Sequence, residues 1–434
     1  MLEKLFKLKE NRTDVRTEVL AGVTTFMTMA YIMFVNPDIL SATGMPFGPV
    51  MTATVIAAGV TTILAGLLSN YPYALASGMG LNAFFAFTVA AKAGWQAALG
   101  VVFLEGIIFL ILSVTGAINT IDRAIPTTLK RAVGVGIGLF IALIGFNNAG
   151  LIQASPATLI TRGNLTDKGP ALAIIGLLIT GILMALKVRG AMLIGILITT
   201  VIGIPMGVTK ITGSIIGKPE SLAPIFMKMD LKGALSLGFM TIFSFWFVDV
   251  FDTVGTLMGT ASRAKMLDEN GQLPRIKEAM TADAIGTCLG AVLGTSTVTT
   301  YVESSAGIAE GGRTGLTAVV VGILFLVSLI FAPLAGMVPS QATAPALIIV
   351  GVLMMLPVKE IDWEDFSDAL PAFITIIMMP FAYSISDGIA AGFVVYPIVK
   401  LATGKAKEIH WLVYVLGVLS VIHLAPSMFS FLGL

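Results

Sequence analysis

Cysteine and histidine are nearly absent from this chain, and charge is scarce. Its 434 residues hold one cysteine, Cys288, and two histidines, His410 and His423. A lone cysteine excludes an intrachain disulfide and any cysteine-ligated metal cluster. Two histidines near the C-terminus leave no multi-histidine metal site. Charged residues make up 12% of the chain, against about 25% in a soluble protein. The formal net charge is +1, so nucleic acid is not an implied partner. There is no nucleotide-binding glycine loop, no Gly-x-Ser-x-Gly elbow and no metal-spaced cluster. An ATP-driven pump and a bound cofactor are therefore not expected; coupling would come from an ion gradient. Residues 1–18 are charged and lack an apolar core followed by a cleavage site, so no secretory signal peptide is expected.

What remains is apolar. Hydrophobic residues reach 56%, mean hydropathy is +0.95, and 46 glycines and 22 methionines suit closely packed helices. This is the composition of a polytopic, all-α membrane protein. A span needs roughly 17–25 apolar residues. On that measure the first seven segments run Val19–Asn36, Val50–Leu68, Pro72–Ala91, Trp95–Ala117, Ala132–Ile152, Pro170–Leu186 and Ala191–Val208. A polar linker, 211–232, follows. The pattern then restarts with Ala234–Met258, Thr281–Gly294, the stretch 295–313, Leu316–Pro333 and Ala344–Leu356. Leu370–Leu401 reads either as one pass broken at Pro380 and Gly388 or as two short half-passes, and Trp411–Leu432 is the last apolar run. The expectation is about 14 segments, with 19–210 and 233–434 as two halves. Lys4, Lys7, Lys9, Arg12 and Arg16 mark a cytoplasmic N-terminus. The basic loops at Arg123–Arg131, Lys187–Arg189 and Arg263–Lys277 fall on the same side. Both termini are then expected to be cytoplasmic, in a cell membrane.

Two segments are broken in the same way. In 295–313, the β-branched and aromatic run Thr297–Tyr301 favours an extended backbone, and the small residues from Ser304 can turn helical. Segment 3 carries Ala76-Ser77-Gly78-Met79-Gly80-Leu81-Asn82 before Phe84, Phe85 and Phe87. Irregular backbone within a membrane must lie inside protein or beside a cavity. Paired breaks at matching positions of inverted halves point to a transporter site near the midplane.

Intramembrane acids are costly, at about 2.5–3.5 kcal/mol each on insertion scales, so few are accidental. Glu303 lies inside the second break. Asp249 and Asp252 share one helix face with Thr256 in segment 8. That face can offer acceptors to ring N–H groups of a heterocycle. Asp283 sits among small residues in segment 9, where it can bridge to the site or carry a proton. Glu105 has no polar sequence neighbour and reads as pairing with another helix. Asp249 is open between a structural and a functional role.

These residues resemble a known family. Ala21-Gly22-Val23-Thr24-Thr25-Phe26-Met27-Thr28-Met29-Ala30-Tyr31, Gly78-Met79-Gly80-Leu81-Asn82-Ala83-Phe84-Phe85, Asp249-Val250-Phe251-Asp252-Thr253-Val254-Gly255-Thr256 and Thr299-Thr300-Tyr301-Val302-Glu303-Ser304-Ser305-Ala306-Gly307 are similar to spans one, three, eight and ten of the AzgA-like purine permeases. These belong to the nucleobase–cation symporters, with the fold of the uracil transporter UraA. The resemblance implies two inverted repeats of seven segments and a short strand in each of segments 3 and 10. It also implies a core domain from 19–117 and 234–333 and a gate domain from 130–208 and 340–432. It implies import of purine nucleobases by proton symport, with hypoxanthine and guanine the leading candidates and adenine the next. A homodimer through the gate domain is compatible with it. By position, Glu303 is similar to the family's base-binding glutamate, Asp252 to its segment-eight acid and Asp283 to its segment-nine acid. Glu303, Asp252, Asn82, Phe84 and Thr300 are the implied substrate contacts, and Asp283 with Asp252 the implied proton carriers. Thr256 stands where the uracil branch has a histidine, so coupling must be arranged differently here.

Two rivals remain at this point. One is an anion or other small-solute transporter on the same fold, which acids in the site oppose. The other is a membrane-embedded enzyme using paired aspartates.

Overall fold

The computed structural model describes residues 2–118, 121, 124–211, 213–264, 266–269 and 272–425. Residues 426–432 of the last apolar run, and the loop cations Arg123 and Lys265, lie outside the described residues. Among those described, nine helices are long and apolar enough to cross a membrane, and shorter apolar helices stand between them.

Segment 1 spans Val15–Ser41 and is interrupted at Ala30 and Tyr31. Segment 2 is Phe47–Ser69. Segment 3 is strand β1, Leu75–Ser77, followed by the helix Met79–Ala93, which includes a π-helical turn at Phe84–Val89. Segments 4 to 7 are Trp95–Thr115, Thr127–Asn148, Lys168–Ala185 and Ala191–Met206. Between segments 5 and 6, β2 (Ile152–Ser155) and β3 (Leu159–Arg162) form a hairpin that the hydropathy pattern did not announce. Segments 8 and 9 are Phe239–Arg263 and Ile276–Leu293. Segment 10 is strand β4, Val298–Thr300, and a half-helix, Ser304–Ala309. Segments 11 to 14 are Gly315–Ala335, Ser340–Glu360, Phe366–Ala382 and Ile385–Ala402.

The packing follows an inverted plan. Segment 11 lies along segment 2 as segment 9 lies along segment 4. Segment 13 packs on segment 5 as segment 6 packs on segment 12, and segments 5 and 12 pack on each other. Shifting each index by one repeat exchanges the members of each pair. Close approach depends on small residues, as membrane helices require. At the contact of segments 2 and 11, a Cβ on Gly315 would sit 1.8 Å from the Gly66 carbonyl oxygen. Glu18 in segment 1 is fully buried and caps segment 11. It accepts from the backbone N–H groups of Arg313, Thr314 and Thr317 at 2.9, 3.3 and 3.2 Å, and from the Thr317 hydroxyl at 2.6 Å. Helix N-termini leave such N–H groups without an intrahelical partner.

The C-terminal third differs from the simplest expectation. Residues 370–401 belong to two helices, and the break falls at Tyr383, in the left-handed region at φ 54°. Pro380 lies within segment 13, and Gly388 within segment 14, where its missing Cβ admits Met379. Trp411–Leu424 is then one helix more than the repeat needs. It packs on segment 14. It starts just beyond Glu408, which reaches Lys400 at 3.3 Å. It ends at His423, whose Nε2 lies 3.0 Å from Asp387 at the other end of segment 14.

Candidate functional site

The crossing of β1 and β4 positions the site. The strands are antiparallel, with Leu75 opposite Thr300, Ala76 opposite Thr299 and Ser77 opposite Val298. The Tyr301 N–H donates to the Ala74 carbonyl at 2.9 Å and the Gly78 N–H to that of Thr297 at 3.0 Å, extending the ladder at both ends. Two short strands from distant parts of the chain thus satisfy each other where lipid cannot. The Asn36 amide braces the crossing by donating to Thr54 Oγ1 at 2.7 Å and Thr295 Oγ1 at 2.9 Å.

A cavity of about 720 Å³ opens beside this crossing. Segments 3, 8 and 10 form one wall, through Gly80, Asp252 and Thr299 among others. Segments 5 and 12 form the facing wall, through Ile137 and Leu353. Lys130, Arg131, Lys359 and Glu360 ring the mouth, and Arg131 pairs with Glu360 at 3.1 Å. The mouth lies on the face that carries the N-terminal helix. Asn70, at the end of segment 2, links that helix to the start of segment 11 through Phe6 O at 3.0 Å and the Gly315 N–H at 2.9 Å. Tyr73 nearby donates to Leu257 O at 3.3 Å, near the cavity-lining end of segment 8. The volume falls within the range of small-molecule sites, about 300–1,000 Å³.

Two carboxylates meet in this space. Glu303 precedes the half-helix of segment 10, and its Oε1 accepts from the Tyr31 hydroxyl at 2.8 Å. It also borders a second cavity of about 270 Å³, between segment 10 and the loop joining segments 6 and 7. Asp252 projects from segment 8, is exposed to the first cavity and lies within electrostatic reach of Glu303. Thr256, one turn on, lines the same space. Aliphatic and aromatic side chains make up much of the remainder. Away from its charged mouth, the cavity therefore offers two acidic acceptor groups among hydroxyl-bearing and apolar side chains, a pattern suited to a flat heterocycle bearing N–H donors.

The other expected residues fall differently. Thr300 lines the cavity, but its hydroxyl donates to Asp283 Oδ2 at 2.8 Å. Asp283 is fully buried behind the strand, where it also accepts from the Thr253 hydroxyl at 2.8 Å. It is thus one hydroxyl removed from the cavity. Asn82 and Phe84 require correction, since neither lines the cavity. Asn82 is buried, with its side-chain carbonyl accepting from Ser296. Phe84 is stacked on Phe245, centroids 4.4 Å apart and rings 18° from parallel. Both are fully buried in the helix that follows Gly78. Tyr31 and Thr299 were missed as lining groups. Tyr31 carried a signal: its hydroxyl, within an apolar run, needs a polar partner when buried.

Residues 16–391 match a family profile described as "Permease family" (Xan_ur_permease). The chain belongs to this permease family. Guanine/hypoxanthine permease PbuG of Bacillus subtilis (strain 168) is 47% identical over 436 residues, covering 97% of this chain and 99% of that protein. Adenine permease AdeP of Escherichia coli (strain K12) is 44% identical over 425 residues, covering 97% and 95%. Among solved structures, the transmembrane domain of the cyanobacterial bicarbonate transporter BicA superposes with a TM-score of 0.63. It is 17% identical and covers 87% of this chain and 97% of that domain. At that identity the likeness concerns the fold alone, and it supports the UraA-type architecture with inverted repeats.

Proposed function

We propose that this permease imports purine nucleobases across the cell membrane by proton symport, with hypoxanthine and guanine the leading candidates and adenine the next. The observation that carries the reading is the meeting of Glu303 and Asp252 in one cavity beside the strand crossing. Glu303, held by Tyr31, accepts hydrogen bonds from purine N–H groups. Asp252 contacts the base or takes the proton, with Asp283 behind Thr300 as its reserve. Two close relatives are named for guanine/hypoxanthine and for adenine, which supports the substrate class. An anion on the same fold is disfavoured, because both charged groups deep in the cavity are acids.

The core domain, from 19–117 and 234–333, moves against the gate domain, from 130–208 and 340–432. Alternating access follows, in an elevator or rocking motion. Lining of the cavity by segments 3, 8 and 10 on one side and segments 5 and 12 on the other supports this reading. A proton entering down about 100 mV supplies about 2.3 kcal/mol, enough for roughly 50-fold accumulation of a neutral base.

The test is uptake of labelled hypoxanthine, guanine and adenine, with and without a protonophore. Glu303→Gln and Asp252→Asn should each abolish uptake while the protein still reaches the membrane. Wild-type rates in either variant would overturn the site, and uptake indifferent to the protonophore would overturn proton coupling.

A further inference from the structure

Three carboxyl groups lie together behind the strand crossing. Glu105 comes from segment 4, Asp249 from segment 8 and Asp283 from segment 9, and all are fully buried. Each has one oxygen on a threonine hydroxyl: Glu105 Oε1 on Thr297 at 3.0 Å, Asp249 Oδ2 on Thr287 at 3.2 Å, and Asp283 Oδ2 on Thr253 and Thr300, both at 2.8 Å. The other oxygens, Glu105 Oε2, Asp249 Oδ1 and Asp283 Oδ1, are buried and have no hydrogen-bond partner among the described residues.

The charged groups acting on these acids are other acids. Asp249 feels Glu105, Asp283 and Asp252; Glu105 feels Asp283; Asp283 feels Asp252. The thiol of Cys288 in segment 9 is the other titratable group beside Glu105. Among the described residues, no group of three or more ligating side chains has the arrangement of a metal site. The groups acting on these acids thus include no positive charge.

A proton can supply one. The Thr287 hydroxyl has one hydrogen and two oxygen neighbours, the Val298 carbonyl at 3.0 Å and Asp249 Oδ2 at 3.2 Å. A carbonyl only accepts, whereas a protonated carboxyl can donate. Thr287 can donate to either oxygen, and when it donates to Val298 a protonated Asp249 can donate in turn to the Thr287 hydroxyl.

We propose that Glu105 and Asp249 form a proton store for the transport cycle, linked to the cavity through Asp283 and Thr300. This rests on the proton-symport reading above. On loading, one proton leaves cavity water and passes by way of the Thr300 hydroxyl and Asp283 to a carboxylate of the cluster. On unloading it returns by the same groups to water, so the store ends each cycle unchanged. Glu105 touches no substrate and acts through Asp249 and Asp283.

Infrared spectroscopy of the purified protein in lipid reads the store directly. At neutral pH the wild type should show the carbonyl stretch of protonated carboxylic acid, shifting in heavy water. Asp249→Asn and Glu105→Gln should each remove part of it. An unchanged band in both variants overturns the proposal. Proteoliposomes give the second measurement. Glu105→Gln should keep exchange of labelled purine between equal pools and lose proton-driven accumulation by about tenfold. Accumulation equal to wild type overturns the proposal, and so does loss of exchange, which would mark Glu105 as a fold or site residue. A wild type that moves no purine would sink the transport reading, while the infrared measurement would still decide the store.

Discussion

The Tyr31 hydroxyl donates to Glu303 Oε1 at 2.8 Å, joining the break in segment 1 to the break in segment 10. A hydrogen bond to a charged group contributes about 1.5–3 kcal/mol. Tyr31→Phe keeps the ring and removes that donor. Its KM for purine should rise about tenfold or more, with protein level unchanged. Concentration-dependent uptake measures it, and an unaltered KM would show that Glu303 is oriented without Tyr31.

Phe84 should matter to stability and not to recognition. Its ring is fully buried against Phe245. Truncation of a buried phenylalanine costs about 3–5 kcal/mol, so Phe84→Ala should lower the thermal unfolding midpoint strongly. Phe84→Leu keeps most of the volume, should cost less, and should leave the KM for purine as in wild type. A raised KM in Phe84→Leu would place the ring in the substrate path.

Glu18→Ala should loosen segment 11. Three backbone N–H groups and one hydroxyl lose their shared acceptor. Leaving buried donors unsatisfied costs about 1–3 kcal/mol. The midpoint of heat-induced aggregation in detergent should fall, with Glu18→Gln intermediate because its amide oxygen still accepts. Equal midpoints for all three proteins would refute the cap.

Beyond the membrane-spanning segments, Lys405 and Ser367 hold the Asp365 carboxyl below the usual carboxylate range. A depressed folded value means the contribution is fully present above the unfolded value, about 3.9, and is lost as pH falls through the folded one. Lys405→Met should therefore lower thermal stability at neutral pH, and the gap to wild type should close in acid. Both residues are partly exposed, so the effect should be small and weaken with salt. A gap that widens in acid would reverse the sign.

Much of this site was legible before any coordinates, for a simple physical reason. Glu303 and Asp252 are charges in apolar surroundings, and such charges stand out because they are expensive. The β-branched and aromatic run Thr297–Tyr301 likewise declared an extended backbone, and the strand is Val298–Thr300. What could not be read was direction. Asn82 and Phe84 follow the first break as Ser304 and Ser305 follow the second, but composition does not say which way a helical turn faces. Tyr31 looked like core because its ring is apolar and its hydroxyl meets Glu303 only in three dimensions. Residues 370–401 were open between one broken pass and two short ones for a related reason. Proline is tolerated within a membrane helix, so Pro380 did not break the chain, and Tyr383 did. The hairpin β2–β3 is short and mostly exposed, with no apolar face to betray it.

The antiparallel crossing of Leu75–Ser77 with Val298–Thr300 also orders the birth of the protein in time. The first strand leaves the ribosome long before its partner exists. Until Val298 arrives, the N–H and C=O groups of Leu75–Ser77 can be matched only by water or by the insertion machinery, since lipid offers neither donor nor acceptor. Residues 19–210 inserted alone would carry an open edge at their centre. The early half must therefore be sheltered during synthesis until Val298–Thr300 closes that edge.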